Sequence, residues 1–295
     1  MTLADRIRSA NGHPAGFDCL RLLLAVAIIL FHTASVCYGP TADHWLWLGP
    51  LRPVAFVLVP AFFALSGFLV AGSLLRNDLP SFFMLRMIRI FPALCVELYI
   101  SAILIGPLFT SLSLWDYFSA KMFWAYWGNL IGRVRYSLPG VFDNLPLEGQ
   151  VNPQLWTIPF EFECYIALGI LAATGLVRQR GFFLLASIGL VVTWTLVEWA
   201  TDTLPILLRH ADRMVVFSFL FGVGFYLLQD RVPHSGSMFC LSVCLFSTMI
   251  YHEFLIHLAA LPAAYITVYL GAFNPGNAII RRGADYSYGL YLYGF

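Results

Sequence analysis

The sequence predicts an all-α protein: a polytopic transmembrane helix bundle of about nine or ten spans, forming a single integral-membrane domain over residues 1–295. Three observations predict this class. Hydrophobic residues make up 60% of the chain and charged residues only 11%, whereas a soluble domain carries about 25% charged residues. The mean hydropathy is +0.77. The net charge is +1, so we expect the lipid bilayer rather than nucleic acid as a partner.

The apolar runs fix the order of the spans. A polar segment with Arg6 and Arg8 precedes the first run, and no small-residue cleavage site follows that run, so we expect a retained span rather than a signal peptide. A last run begins near Ser287 and stops at Phe295, which predicts a truncated final helix. Runs long enough to cross, or nearly cross, a core of about 30 Å cover 17–38, 53–75, 87–109, 157–177, 182–199, 214–228, 237–251 and 254–272.

The charges between the runs predict the orientation. The stretch 115–131 is apolar and aromatic, and it could span, re-enter or lie in the interface. If it does not cross, ten basic residues fall on the cytoplasmic side and six outside; if it crosses, the counts are nine and seven. The positive-inside rule favours the first layout, with a cytoplasmic N-terminus and 110–156 as one external insert or re-entrant region. The ten are Arg6, Arg8, Arg76, Arg86, Arg89, Arg178, Arg180, Arg231, Arg281 and Arg282, and the six are Arg52, Lys121, Arg133, Arg135, Arg209 and Arg213.

Polar residues on the first span form the first candidate cluster. His32 follows Arg21 by eleven residues, which returns to nearly the same helix face about 16 Å further on. Charged groups inside a bilayer are costly and usually mark a functional path. Asp18 precedes Arg21 by three residues, so the two can pair. The alternatives are an ion pair that merely anchors the helix and a histidine that only packs.

The second cluster is Arg86 and Arg89, which share a helix face at the predicted cytoplasmic mouth of the third span. Arginine pairs bind phosphate well, although ordinary positive-inside anchoring explains them equally. Glu97 lies two turns further in and is a candidate partner.

The third cluster surrounds Trp156. Thr157 is a suitable N-cap and Pro159 suits the first helical turn. Glu161 then lies in that turn, where the helix dipole favours an anion. Glu163 is about 200° away around the helix, so at most one of the two faces a given cavity. We expect Glu161 and His32 at similar depth, as a general-base pair near the outer side.

These residues resemble the membrane acyltransferase-3 family over nearly the whole chain. The resemblance rests on five segments in the family's order: Phe17-Asp18-Cys-Leu-Arg21 with His32, Phe62-Phe-Ala-Leu-Ser66-Gly67-Phe68-Leu, Arg86-Met-Ile-Arg89-Ile-Phe-Pro92, Leu155-Trp156-Thr-Ile-Pro-Phe-Glu161, and Asp285-Tyr-Ser287-Tyr-Gly-Leu-Tyr-Leu-Tyr. The last segment departs from the family, because Tyr293-Gly-Phe295 stands where a His and a Pro usually follow. Thr157 stands where Ser is common, and Cys164 where Phe is common.

The resemblance implies an O-acyltransferase that takes an acyl group, expected to be acetyl, from cytoplasmic acyl-CoA. The acceptor would be a hydroxyl of a carbohydrate or glycolipid at the outer side of the bacterial inner membrane. His32 resembles the family's essential histidine, Arg21 its arginine partner and Glu161 its glutamate, which are the catalytic candidates. Arg86 and Arg89 would hold the CoA phosphates. Asp18, Ser66 and Trp156 are substrate-binding candidates, with close helix packing as the alternative for Ser66-Gly67.

Acyl-CoA is then a donor substrate, and we expect neither a permanently bound cofactor nor a metal. His252 and His257 are five residues apart, which does not match the four-residue spacing of a helical zinc pair. Two other functions fit the intramembrane polar residues. One is a proton-coupled transporter of small anions or acyl groups, although no internal repeat is evident. The other is a non-catalytic membrane sensor.

Overall fold

Helices make up all regular secondary structure in the part of the chain that the structure describes, which confirms the all-α class. The structure is a computed structural model that describes residues 1–12, 14–146, 149–201, 211–274 and 287–294. Arg209, Arg281, Arg282, Asp285 and Phe295, which entered the sequence argument, lie outside these residues. The α-helices are α1 Leu3–Ser9, α2 Ala15–Tyr38, α3 Pro40–Asp43, α4 Arg52–Arg76, α5 Leu79–Tyr99, α6 Gly106–Phe109, α7 Leu114–Ser119, α8 Lys121–Tyr126, α9 Ile158–Ala173, α10 Arg180–Ala200, α11 Ala211–Leu227, α12 Gly236–Met249, α13 Ala260–Gly271 and α14 Ser287–Tyr293.

Five helical segments among the described residues are long and apolar enough to cross a membrane: Ala15–Tyr38, Arg52–Arg76, Leu79–Phe109, Pro153–Ala173 and Arg180–Ala200. The shorter apolar helices α12 and α13 add to them. The third segment is continuous because a π-helical stretch, Ile100–Ile105, joins α5 to α6. Proline in the first turn starts α4, α5 and α9, where its missing N–H costs no hydrogen bond.

Two predicted boundaries were wrong. The run predicted at 87–109 begins as a helix at Leu79, since Pro80 starts the helix and the following Phe and Met residues continue it. The run predicted at 254–272 becomes α-helical only at Ala260, because a series of turns occupies the residues before it.

The aromatic stretch 115–131 breaks into α7, α8 and a short 3-10 helix. A helix of six residues covers only about 9 Å, so this stretch does not cross as one helix.

The bundle has two distinct ends. At one end, which we call the N-terminal end, the backbone N–H groups of Leu3 and Ala4 donate to the carbonyls of Val232 and Gln229, both at 2.9 Å. Arg180 pairs with Asp230 there at 3.5 Å. At the opposite end, the insert end, Gly39 at the end of α2 packs against Pro146. The basic residues Arg6, Arg8, Arg180 and Arg231 thus share one end, as the orientation argument requires. That this end is cytoplasmic stays a prediction.

The closest helix packing joins α4 to α11 at two glycines. A Cβ on Gly67 would lie 2.1 Å from the Phe219 carbonyl oxygen, and a Cβ on Gly222 would lie 2.1 Å from that of Ala64. Each helix therefore contributes a glycine where the other's backbone approaches. Small residues allow this approach, and backbone packing then replaces the hydrophobic driving force that lipid does not supply. The packing role expected for Ser66-Gly67 is therefore correct for Gly67.

Replacing Gly67 by Ala should destabilise the bundle by about 1–3 kcal/mol, because the added methyl group forces two backbones apart. Gly189→Ala in α10 is the matched control, since a Cβ there meets nothing within 4 Å, and alanine should stabilise that helix by about 0.5–1 kcal/mol. Thermal unfolding of the two purified variants in detergent measures the difference. Equal midpoints would contradict the packing account.

Candidate active site

A small central cavity lies where α2, α4, α5, α9, α11 and α14 meet. Its volume, counted as the space that the centre of a water-sized sphere can occupy, is about 30 Å³. Its apolar lining is Ile28, Val59, Phe62, Phe63, Cys164 and Phe219. Its polar lining is Ser66, Arg89, Thr157, Glu161, Tyr288 and Tyr291. Four of the five segments that resemble the acyltransferase-3 family on sequence therefore contribute residues to one site, and Ile28 brings in the α2 segment between Arg21 and His32.

Glu161 is the carboxylate of this cavity. It lies in the first turn of α9, and the Tyr165 hydroxyl, one turn further on, donates to its Oε1 at 2.6 Å. Glu163 faces away from the cavity, where its carboxylate accepts from Arg213 Nη1 at 2.7 Å. The prediction that only one of the two glutamates faces the cavity is confirmed.

Arg86 and Arg89 lie deeper in the bundle than the sequence suggested. Since α5 begins at Leu79, Arg89 is ten residues, or about 15 Å, inside the helix. The predicted location at the mouth of the span was therefore wrong, because the helix starts earlier. Both guanidinium groups act electrostatically on Glu161, and Arg86 Nη2 donates to Ser73 Oγ of α4 at 3.2 Å. Glu161 thus belongs with the arginine pair, which the predicted layout had placed at opposite ends.

His32 lies beside the cavity rather than in its lining. It follows Ile28, which lines the cavity, by four residues, so it lies about 6 Å further along the same face of α2. Its ring is half-buried, 6.3 Å from that of Trp47. Arg21 lies toward the other end of α2 and pairs with Asp18 at 3.8 Å, which confirms the predicted contact. The side chain of Asp18 is 57% exposed, whereas that of Arg21 is 14% exposed.

Thr157 and Trp156 lie in different surroundings. Thr157 occupies the N-cap position of α9, but its side chain makes no cap hydrogen bond. The predicted capping role was wrong because the hydroxyl turns inward, 3.0 Å from the Tyr291 hydroxyl. Trp156 is half-buried and packs edge-on against Phe160, with ring centroids 6.0 Å apart. It is not among the cavity-lining residues.

The helix α14 completes the cavity with two tyrosines. Gln154 Nε2 donates to the Leu292 carbonyl at 2.8 Å, and the Tyr293 hydroxyl donates to the Ala93 carbonyl at 2.9 Å, which fix α14 against its neighbours. Tyr288 and Tyr291 then face the cavity, and Tyr291 also stacks on Phe62 at 5.7 Å. The sequence analysis assigned no role to either tyrosine, although both lie in a segment that it quoted.

Glu97 belongs to a second buried polar group, not to the arginine pair. Its Oε1 accepts from Ser101 Oγ at 2.7 Å and from Asn152 Nδ2. The same amide donates to the Tyr126 hydroxyl at 2.5 Å. The expected pairing with Arg86 and Arg89 was therefore wrong, because Oε1 accepts from Ser101 of the same helical segment and from Asn152 of the insert, while Oε2 has no hydrogen-bond partner among the described residues. This cluster fixes the insert to α5.

Arg52 is a buried structural residue that sequence reasoning missed. It was counted as an external loop charge, yet its side chain is fully buried. Its Nη1 donates to the Trp47 carbonyl at 2.7 Å, and its Nη2 donates to the Ile250 carbonyl at 2.8 Å. Its guanidinium also lies over the Phe56 ring at 4.2 Å. Arg52 therefore holds the segment whose Trp47 ring faces His32. A lone arginine at the start of an apolar run gives no sequence signal for this.

Comparison with known proteins identifies the scaffold. A family model for an acyltransferase domain of the type 3 class matches residues 15–293. The chain belongs to the acyltransferase-3 family. This membership confirms the resemblance and makes the protein a multi-pass membrane acyltransferase by family.

Two named relatives match the chain over much of its length. An O-acetyl transferase of Shigella phage Sf6 is 24% identical, covering 95% of this chain and 83% of the relative. Nodulation protein 10 of Rhizobium leguminosarum bv. viciae is 29% identical, covering 64% of this chain and 52% of the relative. No solved structure matches the chain. In the described ranges, no group of three or more His, Cys, Asp or Glu side chains is arranged to hold a metal ion.

Replacing Arg52 by Met should destabilise the protein by about 1–3 kcal/mol for each of the two carbonyls that lose their donor. Arg213→Met is the control, because Arg213 pairs with Glu163 at a partly exposed site, where an ion pair contributes about 0–1 kcal/mol. Thermal unfolding in detergent compares them. An Arg52 variant no less stable than the Arg213 variant would contradict the role of Arg52 in holding the Trp47 and Ile250 carbonyls.

Proposed function

We propose that the protein is an O-acyltransferase of the inner membrane that moves an acetyl group from acyl-CoA to a hydroxyl of a carbohydrate or glycolipid. The donor binds from the cytoplasmic side and the acceptor reacts at the outer side. One observation carries the proposal: a cavity lined by Arg89 and Glu161 lies one helical turn from His32. Family membership and the relative named O-acetyl transferase support acyl transfer over the transport alternative.

In the proposed reaction, the acceptor oxygen attacks the carbonyl carbon of the thioester. The His32 imidazole takes the hydroxyl proton as the C–O bond forms. The C–S bond then breaks, and the same proton passes to the thiolate sulfur, which releases CoA as a thiol. Glu161 orients the reacting groups. Arg21 contributes positive charge to the face of α2 that it shares with His32.

The proposed donor site uses Arg86, whose guanidinium reaches Ser73, for the CoA phosphates, while Arg89, which lines the cavity, contacts the acyl end of the donor. In the structure both guanidinium groups act on the Glu161 carboxylate, and Arg86 Nε is buried without a partner among the described residues. An arginine with an unused donor suits an incoming phosphate, since guanidinium–phosphate contacts are charge-assisted and often bidentate. The cavity is too small for the pantetheine arm, so we expect the arm to run along the face of α2 that carries Arg21 and His32. We expect Asp18, Ser66 and Trp156 to contact the substrates.

Replacing His32 by Ala should lower the acetylation rate about 10²- to 10⁴-fold, which is the usual contribution of a general base. The measurement uses radiolabelled acetyl-CoA and membrane vesicles from expressing cells, with label counted in the carbohydrate and glycolipid fraction. His252→Ala is the control, because His252 is exposed and outside the cavity. Wild-type acetylation by the His32 variant would overturn its role, and label on His32 itself would make it an acyl carrier instead of a base.

Glu161→Gln should reduce kcat, whereas Glu163→Gln two residues away should not, since Glu163 faces Arg213. The same vesicle assay separates the two variants. Equal rates for both would remove Glu161 from the proposed site.

Replacing Arg86 or Arg89 by Ala should raise the KM for acetyl-CoA about 10- to 100-fold, the equivalent of one charge-assisted hydrogen bond. Arg76→Ala, at the exposed end of α4, is the matched control. Initial rates over a range of acetyl-CoA concentrations give KM. Unchanged KM values with lowered kcat would move the pair from donor binding to the chemical step.

A further inference from the structure

The central cavity has a volume and a lining that suit one small ligand. Its lining includes the apolar side chains of Ile28, Val59, Phe62 and Phe219 and the polar side chains of Arg89, Glu161 and Tyr288. Ile28 and Phe219 are each 1% exposed, and the glycine contacts between α4 and α11 hold the backbone of Phe219 in place. This part of the lining is therefore firmly supported.

The volume of the cavity limits what it can hold. A space of about 30 Å³ corresponds to about two water-sized spheres, since each needs about 10–15 Å³ on this measure. An acetyl group brings a methyl carbon, a carbonyl carbon and an oxygen, and its methyl and carbonyl ends suit the apolar and polar residues of the lining. A longer acyl chain must displace close-packed lining residues, and such interiors resist added methylenes.

Tyr288 supplies the polar contact that such a ligand needs. Its side chain is 7% exposed, and its hydroxyl has no hydrogen-bond partner among the described residues. The other hydroxyls nearby are already engaged: Tyr291 and Thr157 lie 3.0 Å apart, and each contacts the Gln154 carbonyl at 3.2 Å. A buried hydroxyl without a partner is unfavourable, and a ligand carbonyl would remove that penalty.

We propose that the central cavity is the acyl-binding site, that Ile28 and Val59 restrict the acyl group to acetyl, and that the Tyr288 hydroxyl donates to its carbonyl oxygen. This inference rests on the proposed acyl transfer and adds the site and size limit of the transferred group. With the acyl group against Ile28, its carbonyl carbon lies within one helical turn of His32.

The test compares radiolabelled acetyl-, propionyl- and butyryl-CoA in the vesicle assay. Wild-type protein should prefer acetyl to propionyl about 10- to 200-fold, the discrimination that one methylene gives in an apolar pocket. Val59→Ala should reduce that preference at least about 10-fold. Val70→Ala is the matched control, because Val70 lies on the same helix, is buried, and is not among the cavity-lining residues. Ile28→Val provides a second, milder enlargement if Val59→Ala expresses poorly.

Tyr288→Phe tests the hydrogen bond separately. It should lower kcat for acetyl transfer about 10²-fold, as for loss of one carbonyl donor, while the melting temperature and the KM for acetyl-CoA stay near wild type. An unchanged kcat, or a loss that follows the melting temperature, would overturn the role of Tyr288.

The outcomes separate the two proposals. Transfer from none of the three donors would overturn the proposed function itself. Transfer of all three at similar rates, or equal effects of Val59→Ala and Val70→Ala, would overturn the size limit while acyl transfer stands. A lower preference for acetyl-CoA in Val59→Ala and Ile28→Val, but not in Val70→Ala, would support both the proposed function and the size limit.

Discussion

The contact between α4 and α11 is the constraint on which the site depends. Gly67 and Gly222 let the two backbones meet, with each glycine against a carbonyl of the other helix. Next to this contact, Ser66 on α4 and Phe219 on α11 both line the cavity. A larger side chain at either glycine would move these two helices apart. The geometry of the cavity therefore follows from packing at residues that take no part in the proposed chemistry.

A polar site inside an apolar bundle also requires that its charges be balanced. Glu161 lies in the field of Arg86 and Arg89 and accepts from Tyr165. Glu97 Oε1 accepts from Ser101 and Asn152, and Arg52 donates to two backbone carbonyls. These hydrogen bonds reduce the cost of burying charged groups. They also connect the site to the insert, because Asn152 and Tyr126 lie in the segment 110–156.

The sequence predicts the helical class, the family, the Asp18–Arg21 contact and the separate faces of Glu161 and Glu163, because these depend on composition and local helical spacing. It does not predict which helices meet. The depth of Arg89 depends on where α5 begins, and the partners of Glu97 and Arg52 come from segments distant along the chain. Tyr288 and Tyr291 enter the site only because α14 packs back onto α2 and α5. Each of these positions and contacts depends on packing between segments that are distant along the chain, and helical periodicity does not predict such packing.

The most direct test of the central claim places donor and acceptor on opposite sides of a membrane. Right-side-out vesicles that contain the native acceptor are loaded with radiolabelled acetyl-CoA on the inside, and label on carbohydrate or glycolipid exposed at the outer surface is counted. The account predicts labelled outer-surface acceptor with wild-type protein and none with His32→Ala. Labelling that requires acetyl-CoA on the same side as the acceptor would contradict it.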